Sequence, residues 1–174
     1  QGAEIDPDAS EIQKLIGDIY ESQKDYEQAI SSYKRALEID SNDPCVMTSL
    51  AVCYLRTERN SFAKELLESA IKIQPDNNTA YQQLGYCYLR FYDQAIKTYN
   101  NMEQRTGEKP ELEADLQENL DKGIENYTKA IEINSNDWDA HKGLGVAYML
   151  RALKNEDDEL KEKALQQWHL SLEI

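Results

Sequence analysis

The sequence has few of the residue types that catalysis, disulfide bonds and metal sites use. Its 174 residues include two histidines, three cysteines, four prolines and seven glycines. Three cysteines cannot all pair within one chain, and the two histidines lie in no zinc-ligand pattern. With so few breaks, 40% hydrophobic and 30% charged residues indicate a helix-rich domain.

Long hydrophobic runs and positive charge are also scarce. No run approaches the ~18–20 apolar residues of a membrane span, and no signal-peptide pattern opens the chain. The net charge of −14 should repel phosphate backbones and anionic lipid. We therefore expect no nucleic-acid partner and no membrane insertion. Unpaired cysteines favour a cytoplasmic location, while the start at Gln1-Gly2, which resembles a cleavage-site remnant, leaves an extracytoplasmic one open.

A repeat of 34 residues runs through the chain. Tyr81, Leu84 and Tyr88 share one helical face, and Gly85 lies beside it, where a second helix can approach closely. Ala51 and Gly17 stand one and two repeats earlier, between similar neighbours. A fixed offset recovered twice indicates an internal repeat.

The second helix of each repeat has its own signature of small and large residues. The small positions are Ala29, Ala63, Gly123 and Ala164; the large ones, four residues on, are Tyr33, Leu67, Tyr127 and Trp168. Ala36, Ala70, Ala130 and Ser171 follow, then Ile39, Ile73, Ile133 and Ile174. This pattern resembles the tetratricopeptide repeat (TPR). The resemblance implies an all-α, right-handed α-solenoid of about four helix–turn–helix repeats.

The predicted organisation is an N-terminal segment, residues 1–9, and one repeat domain, residues 10–174. The repeats are predicted at 10–43, 44–77, 78–136 and 137–174. Within the first two, Ser10 is the expected N-cap of a helix over 10–23, and helices follow at 26–39, 44–57 and 60–73. Ile174 ends the chain without the polar terminal helix that solenoids need, so we expect further repeats after it or a partner at this end.

The third repeat departs from the family pattern. Gly85 and Gly145 are 60 residues apart, which is one repeat plus 26 residues. Apolar residues keep a helical stripe on both sides of the Thr106–Pro110 break, which predicts two lengthened helices at about 78–105 and 110–133. They would form a protruding hairpin over residues 88–127. The alternative interpretation cuts the chain at Phe91 and starts a separate helix there.

The resemblance implies a concave groove, lined by the first helix of each repeat, that receives a peptide or helix of a partner protein. Helical phase places Lys14, Asp18 and Glu21 of the first repeat in this groove, together with eleven residues of the later repeats. The eleven are Thr48, Val52, Leu55 and Arg56, then Gln82, Tyr86, Leu89 and Arg90, then Lys142, Val146 and Met149. They form an apolar strip with a basic rim, which suits a partner with apolar anchors and an acidic flank. The alternative is that the lengthened helices or a neighbouring copy cover this strip.

One subclass of the family holds the acidic C-terminal tails of heat-shock chaperones with a two-carboxylate clamp. Of its five clamp positions Lys14 matches, whereas Asp18, Ser49, Thr79 and Gln83 replace the family's residues. This departure disfavours that ligand.

The sequence therefore predicts a non-enzymatic scaffold for protein–protein interaction, without cofactor or metal. Catalysis needs convergent reactive groups, and we expect His141 to pack in the interior and Cys53 and Cys87 to behave as small apolar side chains. The alternative function is a self-assembly module, a homo-oligomer formed through the 88–127 hairpin.

Overall fold

The computed structural model describes residues 7–106 and 113–174 of the chain. Eight α-helices account for nearly all of these residues. In chain order they are α1 (Pro7–Ser22), α2 (Tyr26–Ile39), α3 (Pro44–Arg56), α4 (Asn60–Ile73), α5 (Asn78–Thr106), α6 (Glu113–Ile133), α7 (Trp138–Asn155) and α8 (Asp158–Glu173). Consecutive pairs form four helical hairpins, so the predicted all-α fold class with about four repeats is confirmed.

The lengthened third hairpin is confirmed as well. Helix α5 has 29 residues and continues through Phe91, so the alternative cut at that residue is wrong. Helix α6 is described from Glu113. The predicted start at residue 110 and most of the Thr106–Pro110 break lie outside the described residues.

Side-chain caps set most of the helix starts. Asp25, Asp43, Asp137 and Asp157 each accept a hydrogen bond from a backbone N–H in the first turn of the following helix. The prediction for Ser10 is wrong, because α1 begins three residues earlier, at Pro7. The Ser10 hydroxyl lies inside α1 and donates to the Ala36 carbonyl oxygen of α2, 3.2 Å away.

Three hairpins turn through a residue in the left-handed region. Lys24, Glu58 and Glu156 have φ angles of 62°, 61° and 53°, and each follows the first helix of its hairpin. This conformation ends a helix sharply and usually favours glycine. The charged side chains of these three residues are exposed, so the energetic cost of the left-handed conformation comes from the backbone alone.

The chain divides into two compact units, which we call unit 1 (to Ala80) and unit 2 (from Tyr81). In unit 1, α1 packs on α2, α2 on α3 and α3 on α4. In unit 2, α6 packs on α7 and α7 on α8. A core cluster of Tyr127, Ala130, Ala140 and Leu144 joins α6 to α7, and Leu89 of α5 packs against it.

Close approach of the helices depends on the repeated small residues. A Cβ atom on Gly17 would lie 2.5 Å from Cε1 of Tyr33, and one on Gly85, two repeats later, would lie 2.9 Å from Cγ of Tyr127. Real Cβ atoms do not come this close, so each aromatic ring occupies the space that glycine leaves. The repeat signature is therefore a packing device.

Candidate partner-binding surfaces

Two of the four groove residues predicted on α3 of unit 1 are buried. Thr48 and Leu55 are 6% and 4% exposed. Val52 is half-buried, and Arg56 is exposed. The Thr48 hydroxyl donates to the Pro44 carbonyl oxygen at 2.7 Å and accepts from the Asn77 amide at 3.3 Å. A partner protein on this surface would contact Arg56 and part of Val52 and would find few other apolar side chains.

Helix α1 brings two carboxylates to one phenol in unit 1. The Tyr33 hydroxyl lies 2.7 Å from Oδ1 of Asp18 and 2.8 Å from Oε2 of Glu21. Burial and these two carboxylates raise the Tyr33 pKa well above its usual value. Burial, assisted by the same carboxylates, raises the pKa of the Cys53 thiol to about 12. This end of unit 1 is thus electronegative.

The groove residues predicted in unit 2 are more open. Tyr86 of α5 and Val146 of α7 are each 38% exposed. Lys142 is exposed, and Arg90 and Met149 are half-buried.

Two predicted groove residues of α5 have a second role within unit 2. Leu89 is half-buried, because it packs on the core cluster and its Cδ2 atom borders Gly123. Gln82 is also half-buried, and its amide is held by neighbouring side chains. These two side chains have a structural role besides any contact with a partner.

Two exposed residues that the sequence interpretation omitted extend the unit 2 surface. Trp138 is 50% exposed and Leu153 is 64% exposed. Together with the predicted groove residues Lys142, Val146 and Met149, they are spaced along α7 at intervals of four, four, three and four residues, which places all five on one helical face. This α7 stripe consists of Trp138, Lys142, Val146, Met149 and Leu153. The same helical phase, continued to the ends of α7, could have found both residues.

Polar groups beside the α7 stripe are bonded to one another. The Gln83 amide donates to Oε1 of Gln82 at 2.9 Å, and the Gln82 amide donates to Oδ1 of Asp137 at 3.2 Å. Asp137 also accepts from the backbone N–H of Ala140. Lys142 has its Nζ atom 5.6 Å from the centroid of the Trp138 ring, within cation–π range.

His141 and two of the three cysteines belong to the interior. His141 is 5% exposed, with Nδ1 2.7 Å from Oε1 of Gln167 and Nε2 3.0 Å from the Ser135 carbonyl oxygen, so its predicted interior packing is confirmed. Cys53 and Cys87 are fully buried, as predicted, and Cys45 is exposed. Within residues 7–106 and 113–174, no cluster of three acidic, His or Cys side chains could hold a metal ion. No helix in these ranges is long and apolar enough to cross a membrane.

Comparison with known proteins supports the resemblance to the tetratricopeptide repeat. Residues 20–85 match the family model described as tetratricopeptide repeat. The repeated small and aromatic positions of the four helical hairpins agree with this match.

Two curated relatives cover parts of the chain. It is 27% identical over 136 residues to small glutamine-rich tetratricopeptide repeat-containing protein 2 of Mycosarcoma maydis, covering 77% of this chain and 38% of the relative. It is 31% identical over 101 residues to the protein STIP1 homolog of Dictyostelium discoideum, covering 53% of this chain and 18% of the relative. The chain thus spans less than half the length of either relative.

Solved structures confirm the fold. The first TPR domain of Spaghetti (RPAP3), bound to the HSP90 peptide SRMEEVD, is similar with a TM-score of 0.69 at 18% identity. The match covers 87% of this chain and 99% of that domain. At this level of identity the likeness is one of fold.

Proposed function

We propose that this chain is a non-enzymatic scaffold that binds a segment of a partner protein on the groove side of its first helices. The observation that carries the proposal is the α7 stripe of unit 2, together with Tyr86 of α5. Contiguous exposed apolar side chains are typical of protein interaction sites, and aromatic residues often dominate the binding energy there.

Relatives support a protein segment as the ligand class. The Spaghetti (RPAP3) domain is a TPR fold that holds a peptide. Its acidic peptide is a poor model for the ligand here, because Lys14 lies 3.5 Å from Glu11 in an ion pair and Asp18 contacts the Tyr33 hydroxyl. A carboxylate approaching this end of unit 1 would meet two negative charges. We therefore place the main contacts in unit 2.

Affinity capture from cells that express the chain tests the proposal. The variant Tyr86→Asp/Val146→Asp changes two side chains that are each 38% exposed, so its helix content should remain unchanged. Leu165→Asp/Leu172→Asp on α8 is the matched control, since it adds the same charge at exposed apolar positions. We expect proteins retained by wild type and by the control to be lost from the first variant. Equal retention by all three chains would exclude this surface.

Self-assembly through the 88–127 hairpin stays a second prediction. In the described part of the hairpin, Met102 is exposed at 44%, while Tyr92, Ile96 and Tyr99 are half-buried. One exposed apolar side chain is a smaller anchor than the α7 stripe. Light scattering over a range of concentrations separates the two functions, because a molecular mass that stays that of a monomer would exclude self-assembly.

A further inference from the structure

We infer that the unit 2 surface receives an amphipathic helix with an acidic flank, and that it does not receive an extended peptide. This inference rests on the proposed function and specifies the partner. It depends on the length of the α7 stripe, the bonding of the polar groups beside it and the charge along α7.

The α7 stripe has the length and spacing of a helix-binding site. Its first and last residues, Trp138 and Leu153, are 15 residues apart, or about 22 Å along α7 at ~1.5 Å per residue. Trp138, Val146 and Leu153 of the stripe are exposed apolar residues, Met149 is half-buried, and Tyr86 of α5 adds a further exposed aromatic ring. A partner helix of about four turns presents apolar residues at intervals of three and four along the same distance.

Hydrogen bonding favours a helix over an extended chain. An extended segment brings backbone N–H and C=O groups that need partners once they lose water. The Val146 and Leu153 side chains of the stripe offer no such partner, and Gln82 beside it already donates one N–H to Asp137 and accepts from Gln83. A helix satisfies its own backbone and needs only apolar contact along its length.

Charge specifies the flank of the partner helix. Helix α7 carries Lys142, Arg151 and Lys154 against one acid, Asp139, a net charge of +2 in a chain of −14. Arg151 forms an ion pair with Asp121 of α6. Lys142 is exposed within the stripe, so an acidic residue on the partner helix meets it beside the apolar contact.

A display library of random 16-residue peptides tests the inference. The library is selected on the wild-type chain and counter-selected on Leu153→Asp, with Leu172→Asp as the matched control because both leucines are exposed, at 64% and 83%. We expect enriched peptides with apolar residues at intervals of three and four and with acidic residues on one flank. A proline in the middle of such a peptide should weaken binding at least tenfold. A side-chain lactam that stabilises the helix should preserve or strengthen binding, and Lys142→Glu should weaken it several-fold.

The outcomes separate the inference from the proposed function. Peptides that depend on Leu153 but tolerate the central proline would overturn the helical partner and leave the scaffold function intact. A library with no peptide that depends on Leu153 would overturn both. Concentration-dependent dimerisation that Leu153→Asp abolishes would replace the partner helix with a second copy of this chain.

Discussion

Units 1 and 2 share an interior packing scheme and differ on the groove side of their first helices. In both units a glycine of a first helix faces an aromatic ring of the second helix of the same hairpin, Gly17 with Tyr33 and Gly85 with Tyr127. Among predicted groove residues at equivalent repeat positions, Thr48 and Leu55 of unit 1 are 6% and 4% exposed. Their counterparts on α7 in unit 2 are more open, since Lys142 is exposed and Met149 is half-buried. The repeat therefore constrains the interior strongly and leaves the surface free to specialise.

The largest expected effect comes from adding a methyl group at the shared glycine positions. Gly17→Ala and Gly85→Ala each place a Cβ atom in the space of a buried tyrosine ring, so both should destabilise the fold by about 1–3 kcal/mol through overpacking. Urea unfolding monitored by circular dichroism measures the free energy of unfolding of each variant.

Gly123→Ala is the control for these substitutions. Its Cβ atom would lie 3.4 Å from Cδ2 of Leu89, an ordinary contact, and alanine favours a helix over glycine by about 0.5–1 kcal/mol. We expect this variant to be neutral or more stable than wild type. If all three variants have the stability of wild type, the glycine–aromatic packing does not constrain the fold.

A smaller effect is expected where the two tyrosines differ at their hydroxyl groups. Tyr33→Phe removes the donor between Asp18 and Glu21 and leaves two nearby carboxylates, so it should cost about 1 kcal/mol. Tyr127→Phe keeps the same ring packing, and Asp139 and Asp137 act on its hydroxyl through their charge, whereas Tyr33 donates directly to carboxylates, so we expect a smaller loss. Urea unfolding of both variants at low and high salt gives the comparison. An equal loss of unfolding free energy in the two variants would show that the hydrogen bonds of the Tyr33 hydroxyl do not stabilise unit 1.

Helix positions followed from the sequence more closely than surfaces did. The ranges of α2 and α4 agree with prediction, because small and aromatic residues recur at fixed helical spacing. The start of α1 was wrong, because the Ser10 hydroxyl bonds across to α2, a tertiary contact that no local pattern contains. The left-handed Lys24, Glu58 and Glu156 were also hidden, since none is the glycine that usually marks this turn.

Helical phase gave the direction of the groove residues but not their exposure. Thr48 and Leu55 have the predicted phase and are nevertheless buried, because exposure depends on neighbouring helices that the phase of one helix does not describe. Trp138 and Leu153 lie near the ends of α7, one helical turn beyond the predicted groove residues Lys142 and Met149. The groove assignment as a whole stays a prediction that the variants above test.

The smallest effect is expected in the pH dependence of unit 1. Burial raises the pKa of the Cys53 thiol from 9.0 to about 12, so the folded state favours the protonated form. The stabilising contribution is complete below pH 9 and is lost as the pH rises towards 12, because the unfolded thiol ionises first. Cys53→Ala lacks this linkage, although it leaves a small cavity at every pH. The gap in unfolding free energy between wild type and Cys53→Ala should therefore narrow by less than about 1 kcal/mol between pH 8 and about 9.5. A gap that is constant over this range would show that the Cys53 thiol ionises equally easily in the folded and unfolded chain.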